Sequence, residues 1–141
     1  MSNEFYSTSI LPYSAIIIKI CRIYSNSQQD FEDYYQEVCL QIWRSRNKHK
    51  GKSKKATWIY RLSLNVCLTL LKKEVKYRGV HINSNNLPDQ SIGDRQIFTD
   101  KDLNKLYEGI KQLSEIDRAV ITLYLEGLSY KKIAQIMGTN T

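Results

Sequence analysis

Only two prolines and six glycines interrupt the 141 residues. A chain so poor in helix breakers is driven to helices wherever its apolar residues recur every three or four positions. Ile10, Leu11, Ile17, Ile18, Cys21 and Tyr24 do so and predict a helix over 12–25, with Pro12 suited to its first turn. Ser25 to Gln29 ends it. A second helix is predicted from Asp30, whose side chain can cap the free N–H groups of the first turn. Phe31, Tyr34, Tyr35, Val38, Ile42 and Trp43 then make its core face. Trp58, Ile59, Leu62, Val66 and Leu70 mark a third helix over 55–77, and three helices can close a first bundle.

From 79 to 98 this periodicity disappears among Asn83, Ser84, Asn85, Asn86, Pro88, Asp89, Ser91 and Gly93, which reads as a flexible linker. Beyond it, Thr99 with Asp102 and Ser114 with Asp117 have capping-box spacing and predict two helix starts. Leu103, Leu106, Tyr107 and Ile110 form one apolar stripe there; Ile116, Val120, Leu123 and Tyr124 form another. The fold class is therefore all-α, with two small helical domains over 1–78 and 99–141 joined by the 79–98 linker.

Charge narrows the function. The net charge is +7, and nearly all of the excess is central: residues 44–78 hold twelve basic groups and one acid, Glu74. Such a block, continuing along a helix, is the footprint expected of a polyanion-binding surface, although a charged loop alone is usually just solvated. Lys19 and Arg22 interrupt the most apolar run, far short of the ~20 residues a membrane span needs. With no signal-peptide pattern either, a cytoplasmic protein is expected, without membrane insertion. Cys21, Cys39 and Cys67 are an odd number at helical apolar positions, so buried free thiols are expected; His49 and His81 stand alone, and no metal is expected. No phosphate-binding glycine loop, activated nucleophile or paired carboxylates stand out, so neither a cofactor nor enzymatic chemistry is expected.

Residues 126–138, EGLSYKKIAQIMG, have the design of a helix-turn-helix. Gly127 supplies a turn, Ser129 caps a short helix, Ala134 permits a close helix crossing, and Gly138 supplies a second turn. The recognition helix would begin at Thr141, so the second domain reads as an incomplete helix-turn-helix lacking that helix.

At this point a resemblance becomes specific. Residues 30–44, DFEDYYQEVCLQIWR, look like the polymerase-binding helix of extracytoplasmic-function (ECF) sigma factors. Residues 58–65, WIYRLSLN, look like the tryptophan-to-asparagine motif of their promoter-melting helix, and Leu113 to Gly138 like their −35-binding domain. The resemblance implies a transcription initiation factor whose partners are core RNA polymerase, through the β′ clamp helices and the β subunit, and promoter DNA; an anti-sigma factor is left open. It implies that Asp33, Gln36, Glu37, Leu40 and Arg44 dock on the polymerase. It implies that the basic loop with Lys50, Lys52, Lys54 and Lys55, and the face with Trp58, Tyr60, Arg61 and Asn65, capture a −10 base and hold the separated strand. Lys72, Lys73, Lys76 and Arg78 would extend that phosphate-binding surface.

Trp58 is equally readable as core packing in register with Leu62, whereas Asn65, read as an amide on the buried side, calls for a partner. Lys131 and Lys132 oppose the dipole of their helix N-terminus and read either as solvated residues or, with Thr139, Asn140 and Thr141, as DNA contacts. Two positions depart from the family: Lys132 stands where an acid is usual, and Leu64 where an arginine is usual. The rival readings are a stand-alone helix-turn-helix regulator that binds duplex DNA, and a helical scaffold whose lysines only solubilise it.

Overall fold

The computed structural model describes residues 3–48, 55–81 and 101–138, with side chains in the 55–81 helix described as far as Lys76. Every regular element among them is helical. The described chain starts in helix: α1 (Asn3–Phe5) runs through a π turn (Tyr6–Ile10) and a 3-10 turn (Leu11–Tyr13) into α2 (Ser14–Tyr24). Pro12 sits in the 3-10 turn, where its fixed φ and missing N–H disturb nothing, and α2 begins two residues later than the sequence predicts.

α3 spans Gln28–Arg44, and its cap is Ser27 rather than Asp30. The Ser27 hydroxyl accepts from the Asp30 N–H at 3.1 Å, so Asp30 lies inside the first turn, where its charge favours the helix dipole. Phe31, Tyr34, Val38 and Ile42 are buried, as the periodicity predicts for this face, and Cys39 with them; Tyr35 and Trp43 are half-buried. The ring of Trp43 lies edge-on to Phe5, with centroids 5.1 Å apart, and under the Arg46 guanidinium at 3.7 Å. The N-terminal segment is thereby fastened to the end of α3.

α4 (Lys55–His81) is the long helix, and Gly79 to His81 extend it past the point where the sequence places the linker. Residues 82–98, the rest of that linker, and Thr99 lie outside the described residues. Its buried register is Ile59, Ser63, Cys67 and Leu71, together with Thr57 and Leu64. The predicted stripe of Trp58, Leu62, Val66 and Leu70 is only half-buried and flanks that face. The helix is apolar over most of its circumference, so spacing alone leaves its rotation open. Two contacts fix its ends: Lys55 Nζ donates to Ser9 Oγ at 2.6 Å, and Tyr34 OH donates to Glu74 Oε2 at 3.1 Å. Burial and the Glu74 charge raise the Tyr34 phenol, which stays a neutral donor.

A second unit follows: α5 (Lys101–Lys111), α6 (Glu115–Leu125) and α7 (Tyr130–Met137). Ser114 and Ser129 cap α6 and α7 by accepting from the N–H groups of Asp117 and Lys132. Gly127, between α6 and α7, and Gly138, at the C-cap of α7, take φ of 87° and 75°, the left-handed conformation that ends a helix. In α6 only Leu123 of the predicted stripe is buried. Ile116 is 62% and Tyr124 51% exposed, Val120 is exposed, and the buried residues are Ala119, Thr122 and Leu123. Leu106 of the α5 stripe is also exposed. The reason is tertiary: α6 turns its small residues toward α2, because α5 and α6 both pack on α2 while α7 packs on α4. Burial therefore joins Ile16, Ile20 and Ile23 with Ile110, Ala119, Leu123 and Ile136 in one core spanning both units.

Cys21, Cys39 and Cys67 are free and buried, with Cys21 and Cys67 Sγ atoms 3.8 Å apart across the α2–α4 contact. Burial pushes the Cys39 thiol up to about 11, and the Cys67 thiol is raised by its bond to Cys21 and by burial. At pH 8 a thiol near 11 holds roughly two hundredfold less thiolate than an ordinary cysteine. Because all three are buried, in the native protein they should react with an aromatic disulfide reagent only as the chain unfolds; a thiol reacting within seconds without denaturant would contradict this packing.

Candidate nucleic-acid and partner interface

Two helices build the site, and each does so by period. On α3, Asp33, Gln36, Glu37, Leu40 and Arg44 recur at three- and four-residue spacing and occupy the side opposite the core. Asp33, Gln36 and Arg44 are exposed; Glu37 and Leu40 are half-buried. The stripe is thus one continuous face, polar at its edges with an apolar centre. Gln41 adds to it, donating its Nε2 to Glu37 Oε2 at 2.9 Å.

On α4, Trp58, Arg61, Asn65, Lys72 and Lys76 fall on a single solvent-facing stripe, with Thr69 and Lys73 beside it. Arg61, Asn65, Thr69, Lys72, Lys73 and Lys76 are exposed, and Trp58 is half-buried on the same side. The position of Trp58 serves both readings of it: half-buried, it packs against the core and lies beside the polar stripe. Asn65 is exposed, so the expectation of an amide on the buried side is corrected. It needs no internal partner, and it is free to meet a ligand from solvent.

The two stripes meet. An open groove of about 240 Å³ lies between α3 and α4, with Glu37 and Gln41 on one wall and Asn65, Thr69 and Lys73 on the other. Neither Gln41 nor Thr69 stood out in the sequence, although each lies four residues from a residue that did, on the same helical face. The floor is aliphatic, from Val66 and Leu70. Such a groove sets the Glu37 carboxylate on the α3 wall against amide, hydroxyl and ammonium groups on the α4 wall, over an apolar base.

Tyr60 is placed differently from Asn65, and Arg61, exposed on the same stripe, is held by a contact that Asn65 lacks. Tyr60 points inward, half-buried, and its phenol is raised by burial and by the Glu126 carboxylate. Arg61 donates Nε and Nη2 to the Gln135 carbonyl in the last turn of α7, the Nε bond being 2.8 Å. Lys55 is committed to Ser9. Lys131 is exposed and Lys132 half-buried in the first turn of α7. Lys50, Lys52 and Lys54, the side chain of Arg78, and Thr139, Asn140 and Thr141 lie outside the described residues.

The second unit carries an apolar groove of its own, of about 440 Å³, between Val120 and Tyr124 of α6 and Tyr130 and Ile133 of α7. Tyr124 and Tyr130 stack across it, 6.1 Å between centroids and 13° from parallel. Among the described residues no cluster of His, Cys, Asp and Glu could hold a metal ion, and no helix is long and apolar enough to cross a membrane.

Comparison with known proteins agrees with this division into two helical units. The family Sigma-70 region 2 matches residues 10–77, and Sigma-70, region 4 matches residues 103–141. The ECF RNA polymerase sigma factor SigG of Mycobacterium tuberculosis is 34% identical over 67 residues, which cover 48% of this chain and 18% of that protein. The RNA polymerase sigma-H factor of Pseudomonas aeruginosa is 26% identical over 143 residues, covering 91% of this chain and 72% of the relative. The ECF RNA polymerase sigma-E factor of Haemophilus influenzae is 27% identical over 128 residues, covering 79% and 65%. With both family regions present in order, each on its own helical unit, the chain belongs to the sigma-70 family, among its ECF members.

Proposed function

We propose that the chain acts in transcription initiation as a promoter-directing subunit of RNA polymerase. The α3 stripe docks on the β′ clamp helices, and the α4 stripe holds the separated −10 strand. The α5–α7 unit faces the −35 duplex, with Lys131 and Lys132 toward phosphates, and approaches the β subunit. Such a protein works in the cytoplasm and contributes positioning, with no bond-making step of its own.

The observation that carries this reading is the meeting of the two stripes at the α3–α4 groove. One solvent-facing ridge presents acid and amide groups from α3 beside amide and lysine groups from α4. A protein partner seated on the first would leave the second open to a nucleic-acid strand alongside it. Lysines tracking the helix supply phosphate attraction, while Trp58 and Asn65 offer a ring and an amide to a base. The relatives described above, RNA polymerase sigma factors, support the same assignment.

Asp33 and Gln36 are exposed, so replacing both with alanine should leave folding within about 0.5 kcal/mol and helicity by circular dichroism unchanged. Retention of core RNA polymerase by the immobilised chain should fall about tenfold, as loss of two polar contacts of roughly 0.7 kcal/mol each implies. Undiminished retention would remove α3 as the docking face. Tight duplex binding without polymerase would instead favour a stand-alone regulator.

A further inference from the structure

The apolar seam that seats the second unit on α2 takes Ala119 and Leu123 of α6, and the larger apolar residues of that helix are left outside. Ile116, Val120 and Tyr124 follow one another at four-residue spacing on its open side, 62%, 38% and 51% exposed. Leu113, just before the Ser114 cap, is 40% exposed, and Tyr130, the first residue of α7, is 76% exposed. Around the groove between α6 and α7 they make one apolar patch of roughly 600 Å². That is the upper end of what a monomer leaves in water, and most of the ~800 Å² that each partner buries in a specific dimer.

The rest of this chain is poorly suited to cover the patch. In 82–98, Ile82, Leu87, Ile92 and Ile97 recur five apart, a spacing that gathers on no single face of a helix or a strand. His49 to Lys54 and Thr139 to Thr141 bring no apolar side chain. Charge points instead to a second copy. Asp117 lines the groove toward the N-terminal end of α6, and Lys131 follows Tyr130 at the opposite end. Both are exposed, and among the described residues neither side chain has a partner. A rim of one sign calls for a partner of the other sign. A rim with an acid at one end and an ammonium group at the other is its own complement under a two-fold rotation, which sets Asp117 of each copy beside Lys131 of the other.

We propose that this patch is a homodimer face: two copies of the chain pair isologously through α6 and the start of α7. Ile116, Val120, Tyr124 and Tyr130 are buried against the same residues of the second copy, and two Asp117–Lys131 pairs close the edges. The α3–α4 groove lies on the other unit and stays open, so the inference stands apart from the strand-binding reading. A patch somewhat smaller than a standard interface sets a modest affinity, with a dissociation constant on the order of 10 µM.

Sedimentation equilibrium of the full chain in reducing buffer, from about tenfold below to about tenfold above that constant, tests the face. The average mass should rise from that of one chain toward that of two. Tyr124→Lys removes a central ring and puts a cation in the last turn of α6, where the helix dipole favours it, so helicity by circular dichroism should be unchanged. Its dimer should be about tenfold weaker. Leu106→Lys, on an exposed apolar residue of α5 outside the patch, should dimerise like the parent. Asp117→Lys alone should weaken association about fivefold, and adding Lys131→Glu, which re-forms both pairs with reversed sign, should restore it. A single mass at every concentration overturns the dimer, as does a ladder of higher masses, which an isologous face cannot build. A dimer undiminished by Tyr124→Lys overturns this face as the contact. Failure of a folded D117K/K131E chain to regain association overturns the two-fold pairing.

Discussion

Alanine in place of Lys72, Lys73 and Lys76 lowers affinity for single-stranded DNA about a hundredfold at 0.1 M salt and flattens the log–log salt dependence by about two units. The magnitude follows from counterion release: each phosphate neutralised on a single strand contributes roughly 0.7 to the slope, so three contribute about two. A slope difference of about two, carried from 1 M to 0.1 M salt, is about two powers of ten in the binding constant. All three ammonium groups are exposed, and they follow the stripe that begins at Trp58 and Asn65. The triple variant should therefore keep its unfolding midpoint, because exposed lysines contribute little to stability. A salt slope equal to that of the parent chain would mean the three lysines are only a solvated face. In that case α4 would not be the strand-holding element, whatever the total charge of the chain.

How much of this was legible beforehand depended on how one-sided each helix is. α3 alternates cleanly between aromatic or aliphatic residues and polar ones, so both its core face and its opposite stripe could be read from spacing alone. α4 could not be oriented in that way. It carries leucine or isoleucine at 59, 62, 64, 68, 70 and 71, and neighbours on two sides select Ile59, Ser63, Cys67 and Leu71 as the buried row. The same ambiguity, in reverse, misplaced α6. Ile116, Val120 and Tyr124 are the larger apolar residues, yet Ala119 and Thr122 are buried because close approach to α2 favours small side chains. Helix starts were better marked than helix faces. Ser114 and Ser129 cap where their spacing predicts, and Ser27 displaces Asp30 because its hydroxyl, three residues ahead, accepts the Asp30 N–H and starts the helix a turn earlier.

The seat between the two units was invisible for a more basic reason. Its polar members act over long sequence separations: Arg118 with Ile23, Tyr24 with Glu115, Lys19 with Glu126, and Arg61 with Gln135. No local period records such pairs. An arginine on α6 looks like any solvated charge until α2 ends beside it. For the candidate site this matters directly, since Tyr60 and Arg61 share a sequence motif with Asn65 and yet face a different neighbour.

Arg118→Met should destabilise the chain by about 3 kcal/mol, a large share of the roughly 5–15 kcal/mol that holds a domain of ordinary size. One guanidinium gathers three carbonyls: Nη2 donates to Lys111 at 2.7 Å, Nη1 to Ile23 at 2.9 Å and Nε to Leu113 at 3.1 Å. The Lys111 and Ile23 oxygens belong to the ends of α5 and α2, where helices leave carbonyls without internal partners, and that of Leu113 to the turn before α6. The Leu113 bond is exposed and water can replace it; the other two are partly buried, and charge-assisted bonds of that kind contribute about 1.5 kcal/mol each. Methionine keeps the aliphatic stem and the contact with the Tyr24 ring, so the loss isolates the hydrogen bonds. Lysine at 118 should recover at most one of them, having a point charge in place of a fork. The urea midpoint measures the effect, with Lys131→Met as a control expected to stay within about 0.5 kcal/mol. Because Arg118 binds the end of α2 as well as its own unit, its loss should also split the urea transition into two steps as the units uncouple. A single transition with an unshifted midpoint would mean that the apolar seam alone holds the two units together.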